Sequence, residues 1–211
     1  MFMTIKKISL YIFFIPTITV ILSYILSLNL NLVPYCIPIF DGCTSISRTG
    51  RYFPVNIFFK SFMFLTGILI IKYWHLNFQN FKVKSKLLLI NYAYVIGLIS
   101  IFFLFLYLVF LGENNYYRFF RKVGIFIYIL FSIIAELILA IIYYKKIKYF
   151  NINFTKLKLC LSIFLVLLGI ILFPFMIMKL ENVSEIRNIV SWNYFFLIQI
   201  NYLITFLVWK K

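Results

Sequence analysis

The chain has 211 residues, of which 64% are hydrophobic and only 12% charged, and its mean hydropathy is +1.03. A soluble domain of this size needs far more polar surface, so water is excluded as its main solvent and a bilayer is expected. The formal net charge is +16, yet Lys and Arg stand in short clusters between apolar runs, and no soluble basic domain exists to bind nucleic acid.

A transmembrane helix needs about 20 apolar residues. Six runs meet that length, at about 8–28, 54–73, 87–111, 123–144, 159–178 and 190–209. They predict an all-α membrane bundle of one domain over 1–211, without repeats or linkers. Pro54 opens the second span, a position that suits proline because a first-turn N–H has no helical partner. The first run is expected to be a retained helix. It is longer than the core of a signal peptide and no small-x-small cleavage site follows it.

The loops set the expected orientation. Lys6, Lys7, Lys72, Lys82, Lys84, Lys86, Lys145, Lys146, Lys148, Lys156, Lys158, Lys210 and Lys211 fall on one side. The other side has Arg48, Arg51, Arg118, Arg121, Lys122, Lys179 and Arg187, and four of the five acids, Asp41, Glu113, Glu181 and Glu185. Positive charge is retained on the cytoplasmic side, so both termini are expected there. Trp74, Trp192 and Trp209 fall at span ends, where an aromatic belt is expected. The abundance of Ile, Lys, Asn and Phe fits an AT-rich genome. The bacterial cytoplasmic membrane is therefore the expected compartment, ahead of a eukaryotic endomembrane.

The external loop 29–53 differs from the rest of the chain. Its stretch DGCTSISRTGR, residues 41–51, is dense in small, polar and charged residues. Cys36 and Cys43 are seven residues apart. In an oxidising compartment they can bridge; otherwise they are two thiols. Asp41 can accept backbone N–H groups in the Gly42 turn. Asp41, Ser45, Ser47, Arg48 and Arg51, with Lys60 about two turns into the second span, form a candidate lipid- or anion-binding set, since guanidinium suits a bidentate phosphate contact.

Glu136 is the only acid within a span. At mid-bilayer an ionisable group costs roughly 2.5 kcal/mol or more unless it is partnered. Spacing by four places Tyr128, Ser132 and Glu136 on one helix face. Thr19, Ser23 and Ser27 form a similar stripe in span one, and Asn193, Asn201 and Thr205 in span six; Asn91 and Ser100 lie in span three. Such residues either line a functional interior or join helices by hydrogen bonds. His75 is the only histidine, so no Cys/His metal set exists and no metal is expected. No Gly-rich phosphate loop, G-x-S-x-G or H-E-x-x-H is present, and Ser45 and Ser47 have no nearby histidine base. No cofactor is expected.

The outer loop reads D-G-x-x-S-I-S-x-T-G-R over Asp41, Gly42, Ser45, Ile46, Ser47, Gly50 and Arg51, followed by Pro54 and Lys60. With six spans, Glu136 in the fourth and Trp192 heading the sixth, this resembles the DRAM/FRAG/Sfk family of six-span membrane proteins. That family includes autophagy modulators, GPI-anchor-remodelling proteins and many bacterial members. Relatives often have His before the glycine of span four and Glu before the tryptophan of span six; here Arg121 and Ser191 stand there. The resemblance implies handling of membrane lipids or lipid anchors. The expectation is a lipid-binding or lipid-modulating protein, modulatory rather than catalytic, acting at the outer leaflet through loop 41–51. Its expected partners are membrane lipids and a second membrane protein or copy of itself. A small-solute or proton-coupled transporter using Glu136, and a lipid-remodelling enzyme, are the alternatives.

Overall fold

The computed structural model describes residues 2–84, 88–113, 115–177 and 184–209. Lys86, Lys179, Glu181, Lys210 and Lys211 lie outside them. The described residues form helices and connecting turns, with no strand among them. The long helices are α1 (Phe2–Asn29), α4 (Val55–Lys84), α5 (Leu88–Phe110), α6 (Arg118–Lys145), α7 (Ile152–Ile177) and α8 (Ser184–Val208); one-turn helices α2 (Pro38–Asp41) and α3 (Ile46–Thr49) lie in the first connection. Among the described residues, six helices are long and apolar enough to cross a membrane.

The helices form a ring in chain order. Each long helix packs on its predecessor and successor, and α8 closes on α1. Short connections favour such antiparallel neighbours. The closure is visible at the end bearing both termini, where the Lys6 ammonium reaches the Trp209 carbonyl at 3.4 Å and Asn151 N–H donates to Val208 O at 2.9 Å. A six-membered ring leaves a wide middle, and large side chains fill it. Trp74, Tyr73, Tyr143 and Tyr202 are among the largest fully buried ones. The Tyr73 and Tyr202 rings meet edge to face at 5.5 Å, linking α4 to α8 across the ring. The Tyr143 hydroxyl donates to Asn77 Oδ1 at 2.6 Å, linking α6 to α4.

The outer surface has the opposite character. Ile18, Ile25, Phe102, Val109, Phe164, Ile170 and Ile171 are exposed, as side chains facing hydrocarbon are. Helices approach closely where a side chain is missing. A Cβ on Gly124 would lie 3.1 Å from the Phe103 carbonyl oxygen, and one on Gly97 would lie 2.5 Å from the Trp74 indole.

Three expectations change. The basic stretch after Tyr73 is not a loop: α4 continues to Lys84, because lysines favour helix and nothing before that point breaks it. Likewise α7 begins at Ile152, seven residues before the expected span. Lys158 is thus helical and completely buried, so it is no loop charge. Finally, Trp74, Trp192 and Trp209 are buried, Trp192 beneath the connection that follows α1, and the exposed aromatic residues lie elsewhere.

Candidate functional site

The connection 30–54 folds over one mouth of the ring. Leu32 N–H returns to Ser27 O at 2.9 Å, which turns the chain at the end of α1. Pro38 starts α2, and Asp41 Oδ2 accepts from Ile37 N–H at 2.7 Å, supplying an acceptor for a first-turn donor. Ser45 is the N-cap residue of α3, and its hydroxyl accepts from Arg48 N–H at 3.2 Å. Asp41 and Ser45 are therefore engaged in holding their own turns.

Side chains from α8 and α1 secure this cap. Asn188 Nδ2 donates to Gly42 O at 2.7 Å, Trp192 Nε1 to Thr44 O at 2.9 Å and Asn193 Nδ2 to Ile39 O at 3.1 Å. Their spacing places all three toward the cap at the start of α8. From α1, Ser27 Oγ donates to Thr49 O at 2.7 Å, and the Tyr24 hydroxyl donates to the Cys36 carbonyl. Cys36 and Cys43 are joined by a disulfide, with their Cα atoms 6.5 Å apart. Gly50 lies against the Phe59 ring, where a Cβ would come within 2.4 Å; this close approach brings Arg51 down beside the ends of α5 and α6.

Arg51 is half-buried. Its Nε is shielded and unbonded, and its side chain makes no hydrogen bond or ion pair among the described residues. Its carbonyl faces Gly112, whose φ is +91° and whose hypothetical Cβ would lie 3.0 Å from it. The Arg121 guanidinium is buried and donates to the next carbonyl, that of Glu113, at 2.7 Å, and to Phe110 O at 3.4 Å. The two guanidiniums lie within electrostatic reach of one another and of the Tyr107 phenol, which the Ser47 side chain faces, and Glu113 supplies an opposite charge within reach of Arg121. Asn56 Oδ1 is also buried and unbonded here.

The predicted anion-binding set is thus divided. Arg51 and Ser47 come together, joined by Arg121 and Tyr107, which sequence reasoning did not place in the set. Arg48 is exposed. Lys60 does not meet Arg51; its ammonium reaches Val109 O at 3.4 Å, at the C-terminal end of α5 where unpaired carbonyls and the helix dipole favour a cation.

A second polar centre lies inside the ring, toward the end that carries both termini. The Lys158 ammonium contacts Glu136 Oε2 at 2.7 Å, Asn201 Oδ1 at 2.6 Å and Thr205 Oγ1 at 2.7 Å. Three acceptors engage its three N–H bonds, the full capacity of a charged ammonium. Asn201 Nδ2 donates to Ser162 Oγ at 2.9 Å, so residues one turn apart on α7 interlock with residues one turn apart on α8. The carboxylate is less complete: Glu136 Oε1 is buried and unbonded, as is the Tyr73 hydroxyl. Tyr73, Tyr128, Tyr143 and Tyr202 lie within electrostatic reach of Glu136. Ser132 turns back to Ile129 O at 2.9 Å, and Asn91 faces outward.

Among the described residues no group of three His, Cys, Asp or Glu side chains could hold a metal ion. No family model matches this chain, and neither does any curated protein or solved structure.

Proposed function

We propose that this chain is a lipid-associated, non-catalytic membrane protein of the DRAM/FRAG/Sfk type that engages the outer leaflet of a bacterial cytoplasmic membrane through its capped mouth. The observation that carries this reading is the set of exposed aromatic side chains at that mouth: Tyr35 and Phe40 on the cap, Phe53 at its end, Tyr116 on the α5–α6 connection and Phe119 in the first turn of α6, each at least two-thirds exposed. Exposed tyrosines at the ends of spans suit the headgroup layer, where the ring is half in hydrocarbon and the hydroxyl is wet, and exposed phenylalanines beside them offer apolar surface to the acyl-chain boundary. The cap, which bears Tyr35, Phe40 and Phe53, is fixed by five hydrogen bonds from α1 and α8. A transport role for Glu136 has less support, because the carboxylate is already committed to a saturated ammonium.

The test is phospholipid retention. Protein purified in a mild detergent and washed should keep phospholipid by native mass spectrometry, and the paired change Phe40→Ser and Phe53→Ser should remove most of it while melting stays unchanged. Folded wild-type protein free of phospholipid would sink the reading.

Orientation is part of the same proposal. Both termini are placed in the cytoplasm and the cap outside, on the asymmetry of the basic residues. With Cys160 replaced by Ala and the disulfide intact, single cysteines at the exposed positions Arg48 and Glu113 should react with an impermeant thiol reagent added to intact cells, and one at the exposed Lys145 should not. Labelling at Lys145 alone would invert the topology.

A further inference from the structure

The disulfide in the cap has two unlike sulfurs. Cys36 and Cys43 close a short loop around the single turn of α2. On the Cys36 side stands the Tyr24 hydroxyl, 4.0 Å from the sulfur. It donates to the Cys36 carbonyl and accepts from the Cys36 N–H at 3.4 Å. Its ring packs edge to face on Trp192 at 5.9 Å, and Trp192 is itself bonded to the Thr44 carbonyl, so the phenol is held in place. On the Cys43 side the neighbour is the Pro34 carbonyl oxygen, 4.0 Å from the sulfur. A hydroxyl stabilises a thiolate by donating to it, whereas a carbonyl oxygen is only an acceptor. Both cysteines are half-buried, and Pro34 and Tyr35 beside them are exposed, so a thiol can approach the bond. The cap is also held without it: Asn188, Asn193 and Trp192 bind the carbonyls of Gly42, Ile39 and Thr44. Opening the bond therefore leaves the cap on α8 and the two thiols within reach of each other.

We infer that the Cys36–Cys43 pair is a thiol-exchange site, attacked at Cys43, whose partner is a protein dithiol on the cap side of the membrane. The inference goes beyond the lipid reading and stands without it. In exchange, a thiolate attacks one sulfur while the other leaves as a thiolate, and the better-stabilised thiolate leaves faster. Here the partner thiolate bonds to Cys43 Sγ, the bond between Cys36 and Cys43 breaks, and Cys36 leaves with the electron pair. The Tyr24 hydroxyl then turns from the Cys36 carbonyl to the Cys36 sulfur, because a charge-assisted hydrogen bond outweighs a neutral one. The partner's second thiolate attacks its own sulfur in the mixed disulfide and releases Cys43. Two protons from the partner dithiol end on Cys36 and Cys43. The partner is oxidised to a disulfide and the cap pair is reduced to two thiols. The reverse sequence, with an oxidised partner, closes the bond again. Because Tyr24 releases the Cys36 carbonyl, the reduced cap loosens at 34–37 and stays fixed at 42–44.

The test uses the full chain in neutral detergent, with Cys160→Ala so that the cap holds the only cysteines. Glutathione is the monothiol probe and dithiothreitol the dithiol probe. After an acid quench and alkylation of free thiols, peptide mass spectrometry should place the glutathione adduct on Cys43 and the alkyl group on Cys36. Dithiothreitol should open the bond in protein that stays folded, with amide exchange rising at 34–37 and not at 42–44. Tyr24→Phe should slow opening by about threefold or more, the effect of removing one donor from the leaving thiolate. A bond that only staples the cap would show neither the choice of sulfur nor the dependence on Tyr24. If Tyr24→Phe does not fold, the position of the adduct in protein with Tyr24 intact decides. An adduct on Cys36 overturns the inference. So does opening as fast in Tyr24→Phe as with Tyr24 intact, or a bond that opens only as the protein melts.

Discussion

Glu136→Ala should destabilise the bundle by about 3–5 kcal/mol, the usual cost of leaving one member of a buried pair alone. Lys158, which is completely buried, then keeps Asn201 and Thr205 as acceptors but loses the carboxylate it is paired with. For a chain of this length a kcal/mol lowers the melting temperature by roughly 2–4 °C, so a fall of about 10 °C in detergent is expected. Lys158→Met should be comparably damaging, because it strands the carboxylate. The double change Glu136→Leu with Lys158→Met should recover most of the loss, since apolar replacement of both partners removes the desolvation cost as well as the attraction. Single variants that melt within about 2 °C of wild type would show that the centre does not hold the ring together. The double variant also separates structure from activity: if lipid retention survives in it, Glu136 has no part in that function.

Gly42→Ala should detach the cap. Gly42 has a φ of +65°, and a Cβ there would lie 2.2 Å from the Glu185 carbonyl oxygen and 2.9 Å from Ile189 Cγ1. Left-handed backbone costs an L-residue roughly 1–2 kcal/mol. The collision is worse, because the obstructing atom is the backbone of α8 and cannot rotate away. Relief requires α2 to lift off α8, which breaks the bond from Asn188 to the Gly42 carbonyl. A loss of roughly 3 kcal/mol or more is expected, with rapid amide exchange confined to the region around 37–51. Gly169→Ala is the control. A Cβ there would meet the Tyr194 hydroxyl at 3.1 Å and Ile133 Cδ1 at 3.4 Å, both ends of side chains rather than backbone, and a helical alanine recovers about 0.5–1 kcal/mol. Gly42→Ala protein that melts like wild type with a protected cap would mean α2 does not seat on α8.

The spans were legible because hydrophobic length is a strong signal, and the long helices follow it. What it hides is the identity of polar groups near the span ends. Lys158 stands just before an apolar run and reads as a loop charge, yet α7 begins two turns earlier and carries it inside. The clue was Glu136, since a lone acid in a span calls for a base in another span. The tryptophans misled for a related reason. Position along a helix places a residue at a depth, but only the neighbouring helix decides whether it faces lipid, and Trp192 faces the cap. Within the cap, Asp41 and the Gly42 turn were legible from local chemistry. The meeting of Arg51 with Arg121 was not, because it depends on contacts between residues 70 positions apart.

A ring built in chain order also constrains synthesis. Each new helix finds its neighbour already made, and closure waits for α8 to reach α1. Glu136 is made before Lys158, so α6 and α7 can enter the bilayer as a hairpin whose opposite charges cancel before either has another partner. The acceptors on α8 arrive last. A chain that has reached only the end of α7 therefore holds an ammonium paired with its carboxylate but still lacking Asn201 and Thr205.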